Sequence, residues 1–81
     1  MRYTWSERKR ASNLVRHGLD FADATQVFVG PTYTFEDDRF DYSEQRFVTL
    51  GLLGGMVVSI VHLENPLRIR VISMRKGTRH E

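Results

Sequence analysis

The side chains in this sequence whose types and spacing suit chemistry are mostly cationic. Arg68 and Arg70 alternate with Ile69 and Val71 in a run that reads as a strand, so the two guanidinium groups share one face and the two apolar residues the other. By the same alternation Arg46, Val48 and Leu50 share a face, and so do Val58, Ile60 and His62. If Arg46, His62, Arg68 and Arg70 meet on one open side of a sheet, they make a cationic surface with a titratable group in it. A guanidinium fork pairs two oxygens of a phosphate and stays charged, and an imidazole exchanges a proton near neutral pH. His62 stands two residues from Glu64, and a neighbouring carboxylate would raise its pKa and hold its tautomer. The competing reading of His62 is a half-buried strand residue with a satisfied ring.

Charge along the chain is consistent with a polyanion partner. Net charge is only +2, but it is unevenly placed. Arg2, Arg8, Lys9, Arg10 and Arg16 outweigh Glu7 in residues 1–17. Acids dominate residues 18–44, where Arg39 is the lone cation. Arg46, Arg68, Arg70, Arg75, Lys76 and Arg79 outweigh Glu64 and Glu81 in the remainder. Two basic ends around an acidic middle suggest one face for a polyanion and another for a basic or regulatory partner. Dense solvating charge on a small domain would look the same.

Several classes fall away. The 81 residues contain no cysteine, so there is neither a disulfide nor a thiolate metal site. Glu36, Asp37, Asp38, Asp41 and Glu44 lack the glycine and spacing of a calcium loop. There is no phosphate-binding glycine loop and no nucleophile elbow. No metal or cofactor is expected. The chain opens Met1-Arg2-Tyr3-Thr4-Trp5 without a signal peptide, and its longest apolar run, Met56 to Val61, is too short to span a bilayer. A cytoplasmic protein of one domain, residues 1–81, is expected.

The elements that must position these groups are legible in outline. Residues 2–5 alternate as a short strand. Ser6 is an N-cap for a helix whose stripe is Ala11, Leu14 and Val15, ended by Gly18. Asp20 caps a second helix, with Phe21, Ala24 and Phe28 as its stripe and Gly30-Pro31 as its stop. Residues 32–35 read as a short strand, 36–44 as an acidic loop, and 45–52, 56–63 and 67–74 as strands joined by short turns, which implies an antiparallel meander. The fold class is therefore α+β: two N-terminal helices packed on an antiparallel sheet of three to five strands, with the other sheet face partly open.

At this point a family resemblance appears. Trp5-Ser6-Glu7-Arg8-Lys9, then Asn13, then Arg16-His17-Gly18-Leu19-Asp20-Phe21 and Ala24, resemble the opening of the BrnT family. Phe28 with Pro31, Asp37-Asp38-Arg39, and Glu44-Gln45-Arg46-Phe47 with Gly51 look like its middle. The run from Arg68 to Lys76 is similar to its final strand and turn. The family usually has Ala where this chain has Met74 and Gly77, and it continues into a C-terminal helix where this sequence stops at Glu81. The resemblance implies a RelE-like fold, a ribonuclease toxin of a type II toxin–antitoxin system that blocks translation, and a DNA-binding BrnA-like antitoxin.

On that implication the residues take roles. Metal-free RNA cleavage by internal attack needs a proton taken from the 2′-hydroxyl, a proton given to the departing 5′-oxygen, and stabilisation of the phosphorane charge. His62 is the first choice for proton transfer, and Arg46, Arg70 and Arg75 for phosphate and transition-state contacts. Lys9, Arg10, Arg68, Lys76 and Arg79 are RNA-steering candidates, with Arg16 and His17 beside them on the first helix. At the end of that helix, a charged His17 interacts well with the helix dipole, a structural role. Tyr33, Phe35, Phe40 and Tyr42 either stack bases or pack loops. The alternative function is a non-catalytic RNA- or protein-binding module, a degraded or truncated toxin.

Overall fold

The computed structural model describes residues 1–39 and 43–77. Strand β1 (Arg2–Thr4) leads into helix α1 (Glu7–His17), a 3-10 turn (Phe21–Asp23) and a short helix α2 (Ala24–Phe28). Strands β2 (Tyr33–Glu36), β3 (Phe47–Leu53), β4 (Met56–Asn65) and β5 (Arg68–Lys76) follow. They form a five-stranded sheet in the order β1-β5-β4-β3-β2. From β2 to β5 it is the antiparallel meander that the short turns imply. The wholly antiparallel expectation is corrected at one edge: β1 pairs β5 in parallel, Tyr3 opposite Ile69, so the sheet is mixed. The long path through both helices makes this possible, because a parallel neighbour needs a crossover rather than a hairpin.

The local signals behave as their chemistry requires. The Ser6 hydroxyl accepts from the Lys9 amide, and the Asp20 carboxylate accepts from the Ala22 amide. The second helical segment is shorter than its apolar stripe suggests, being a 3-10 turn followed by five residues of α-helix. Between Leu53 and Met56 the hairpin has two residues, Gly54 and Gly55, at φ 57° and 82°. Both positive angles suit the primed turn that matches strand twist.

One sheet face is covered. Phe21, Ala24 and Val27 pack there with Val58, Ile60, Val71 and Met74, and Leu19 joins them. A Cβ at Gly51 would lie 2.5 Å from Val27 Cγ1, so the bare backbone of β3 is what lets α2 come this close.

Helix α1 departs from its predicted stripe. Leu14 and Val15 are exposed, Val15 at 90 %, and Asn13 is the buried residue of the helix. Asn13 Nδ2 donates to the carbonyls of Met74 (2.9 Å) and Leu19 (3.1 Å), and its Oδ1 accepts from the Met74 amide (3.1 Å). It completes the β5 edge where the short strand β1 no longer reaches, since β1 pairs only Arg68 to Arg70. Arg10 adds a bidentate pair to Asp20, Nε to Oδ1 at 2.7 Å and Nη2 to Oδ2 at 2.9 Å, and a third bond to Glu7.

An irregularity in β5 sets the other face. Val61 pairs with Ser73 but His62 pairs with Val71, so Ile72 is an extra residue, a β-bulge. Strict alternation would put Arg75 opposite to Arg68 and Arg70. The extra residue reverses the parity, sends Met74 into the core and brings Arg75 onto the open face opposite Ser59.

Candidate functional site: an open cleft across the sheet

The open face carries Tyr33 and Phe35 from β2, Val48 and Leu50 from β3, Ser59 and Val61 from β4, and Ser73 and Arg75 from β5. With Arg16 and His17 at the end of α1, and Glu36, Asp37, Asp38 and Arg39 beyond β2, they line a cleft of about 750 Å³. Its charge is polarised. Arg16, His17 and Arg75 stand at the α1/β5 end, and three carboxylates stand at the β2 end. There Arg39 is held by Asp37, Nε to Oδ1 at 2.8 Å. A smaller groove between α1 and β5, lined by Lys9, Ser12, Asn13, Arg16, His17, Ile72 and Ser73, continues the cationic end.

The predicted site residues divide. Arg68 and Arg70 lie on the open face as expected, but in a separate groove with Glu44, Gln45, Leu63, Glu64 and Asn65. Arg46 is half-buried just before β3, with its carbonyl accepting from the Asp37 amide. Lys9 lines the α1/β5 groove. Lys76 is exposed opposite Val58, on the side that alternates away from Arg75. Arg10 is committed to Asp20 and Glu7, a clamp within the fold rather than a hand extended to RNA. Those carboxylates raise its pKa, and Arg10 in turn lowers that of Asp20 to about 2. Arg79 lies outside the described residues, as do the stacking candidates Phe40 and Tyr42 and the acidic Asp41.

The structure does not bring His62 to the arginines. It is fully buried on the helix-covered face, edge-on to Phe28 (5.2 Å between ring centres) and stacked on Phe47 (6.0 Å). Its Nε2 shares a 2.7 Å hydrogen bond with Thr49 Oγ1, which shares another of the same length with Thr34 Oγ1. The expected influence of Glu64 is overturned. Its carboxylate is 3.7 Å from Nδ1, yet burial dominates and lowers the imidazole pKa to about 4.

A buried neutral histidine leaves a pH signature. The unfolded chain protonates His62 near pH 6.5 and the folded chain near 4, so stability is retained above 6.5 and falls as pH drops through that window. Between pH 7 and 5 the loss from this group is about 2 kcal/mol. Urea midpoints at the two pH values check it: His62→Gln, which cannot titrate, should flatten the difference, and an unchanged pH dependence would exclude His62 as its source.

His17 is the residue that sequence reasoning placed in a structural role and the structure places in the cleft. The signal was available: His17 directly follows Arg16 and precedes Gly18, so the helix must end with both side chains at its rim.

The chain belongs to a family of toxins from type II toxin–antitoxin systems. The family is BrnT, described as the ribonuclease toxin of such a system, and its profile matches residues 5–81. Membership implies an RNA target and an antitoxin partner. A search of curated proteins finds no match.

Proposed function

We propose that the chain is a metal-independent endoribonuclease with a RelE-like fold, acting in the cytoplasm to block translation and neutralised by a DNA-binding BrnA-like antitoxin. The observation that carries this reading is the open cleft, in which two arginines and a histidine from α1 and β5 converge beside exposed sheet surface. Arg75 and Arg16 hold the scissile phosphate and offset charge on the phosphorane. His17 accepts the 2′-hydroxyl proton as the 2′-oxygen attacks phosphorus. The P–O5′ bond breaks, and the departing oxygen takes a proton from water in the open cleft. Arg70, Arg68 and Lys9 steer the flanking backbone. His62 has no part in this chemistry, because it is buried on the opposite face of the sheet.

The mechanism needs the 2′-hydroxyl and no metal. Purified protein in EDTA should cleave single-stranded RNA to products ending in 2′,3′-cyclic phosphate and leave an all-deoxy oligonucleotide intact. Cleavage that requires added metal, or that proceeds on the deoxy strand, would sink the internal-attack mechanism. Binding without cleavage by a folded protein would favour a non-catalytic module.

A further inference from the structure

The β2 end of the cleft has a chemistry that the cleavage mechanism does not use. Tyr33 and Phe35 are 67 % and 42 % exposed, with ring centres 5.8 Å apart and planes tilted by 41°. Register places them on the open face, Tyr33 across from Leu50 and Phe35 across from Val48. Two aromatic rings flanked across the strand by aliphatic side chains and open to solvent leave apolar area unburied. In a domain this small such rings would ordinarily be drawn into a core. Beside them stand Glu36 and Asp38, and Asp37 neutralised by its pair with Arg39, a net acidic end that repels phosphate. At the opposite end stand Arg16, His17 and Arg75, which attract it.

From this polarity we infer that Tyr33 and Phe35 form a base-stacking subsite for single-stranded RNA, separate from the phosphate-binding end of the same cleft. The inference rests on the ribonuclease reading and adds direction and length to it. The nucleobase, uncharged and flat, occupies the aromatic and acidic end. The backbone lies towards α1 and β5. Three strand spacings separate β2 from β5, roughly 14 Å at about 4.8 Å each. The ligand is therefore an oligonucleotide rather than a single nucleotide. A duplex is excluded because its bases are already stacked, whereas an unpaired base offers a free face to the rings.

The test uses a non-cleavable all-deoxy oligonucleotide as probe, with binding to wild type, Tyr33→Ala, Phe35→Ala and Arg75→Ala measured across a salt series. Both aromatic positions are exposed, so truncation leaves the core intact, and circular dichroism confirms the fold. Each aromatic truncation should weaken single-strand binding by roughly 5- to 100-fold with an unchanged salt slope, since no phosphate contact is lost. Arg75→Ala should instead reduce the salt slope. Wild-type binding that Tyr33→Ala and Phe35→Ala leave intact overturns the stacking subsite and spares the ribonuclease reading. A wild type that binds the strand no better than a duplex also overturns the subsite. A wild type that binds neither the probe nor RNA overturns both.

Discussion

Replacement of Arg75 by alanine is expected to lower RNA cleavage by about 100- to 1,000-fold, the usual cost of removing one charge-stabilising donor from a transition state. The side chain is exposed at the end of β5, so the fold should survive the change. Arg75→Lys keeps the charge and loses the fork, and should recover only part of the rate. His17→Ala should cost about 100- to 10,000-fold, as expected for a positioned proton-transfer group, and should abolish the acidic limb of the pH–rate profile, the rise of rate with pH that a general base produces. The double variant should fall little further than the worse single one, because both groups act on one step. Arg70→Ala, in the separate groove, should weaken substrate affinity and spare the rate at saturation. Initial rates on a fluorogenic oligonucleotide at several pH values check these outcomes. A folded Arg75→Ala protein with wild-type cleavage would remove Arg75 from the site.

Asn13→Ala is expected to be the most destabilising polar truncation in the described chain. It removes the partner of the Met74 amide, the Met74 carbonyl and the Leu19 carbonyl at a position that is only 7 % exposed. Each buried unpaired group costs about 1–3 kcal/mol, and local relaxation keeps the total near 3–5 kcal/mol. A domain of 81 residues has roughly 4–12 kcal/mol in hand, so this one substitution removes from about a quarter of it to all of it. Asn13→Asp is worse placed than its size suggests, since it loses the Nδ2 donor and sets a carboxylate against two carbonyls. Urea unfolding followed by circular dichroism measures both. A loss below about 1 kcal/mol for Asn13→Ala would mean that water enters and replaces the amide. Activity should fall with stability here, because Asn13 anchors the helix that carries Arg16 and His17.

Asn13 also shows where sequence patterning stops. In α1 the apolar residues Leu14 and Val15 follow helical spacing, yet they face solvent, and a polar residue is the one buried. Helical periodicity reports which residues share a side. It does not report that the helix seats on an open strand edge, where the shortage is of hydrogen-bond donors and acceptors rather than of apolar surface. His62 shows the converse. Its alternation with Val58 and Ile60 was legible and placed it correctly among them. The meaning of that company, a buried face, depended on where Phe28 and Phe47 fell in space.

By itself the sequence determined the pieces whose causes act over a few residues. These are the Ser6 and Asp20 caps, the Gly54-Gly55 hairpin, the three long strands and the cationic ends. The family, too, was legible in the ordered motifs from Trp5 to Lys76. Only the tertiary structure decided which charges share a surface. Parallel pairing of β1 with β5 joins residues more than sixty positions apart. One extra residue at Ile72 moves Arg75 across the sheet. The end of α1 delivers His17 to the cleft that His62 never reaches. Strand partners, bulges and helix seating are settled by contacts distant in sequence, and a single-residue change in register reverses every side chain beyond it.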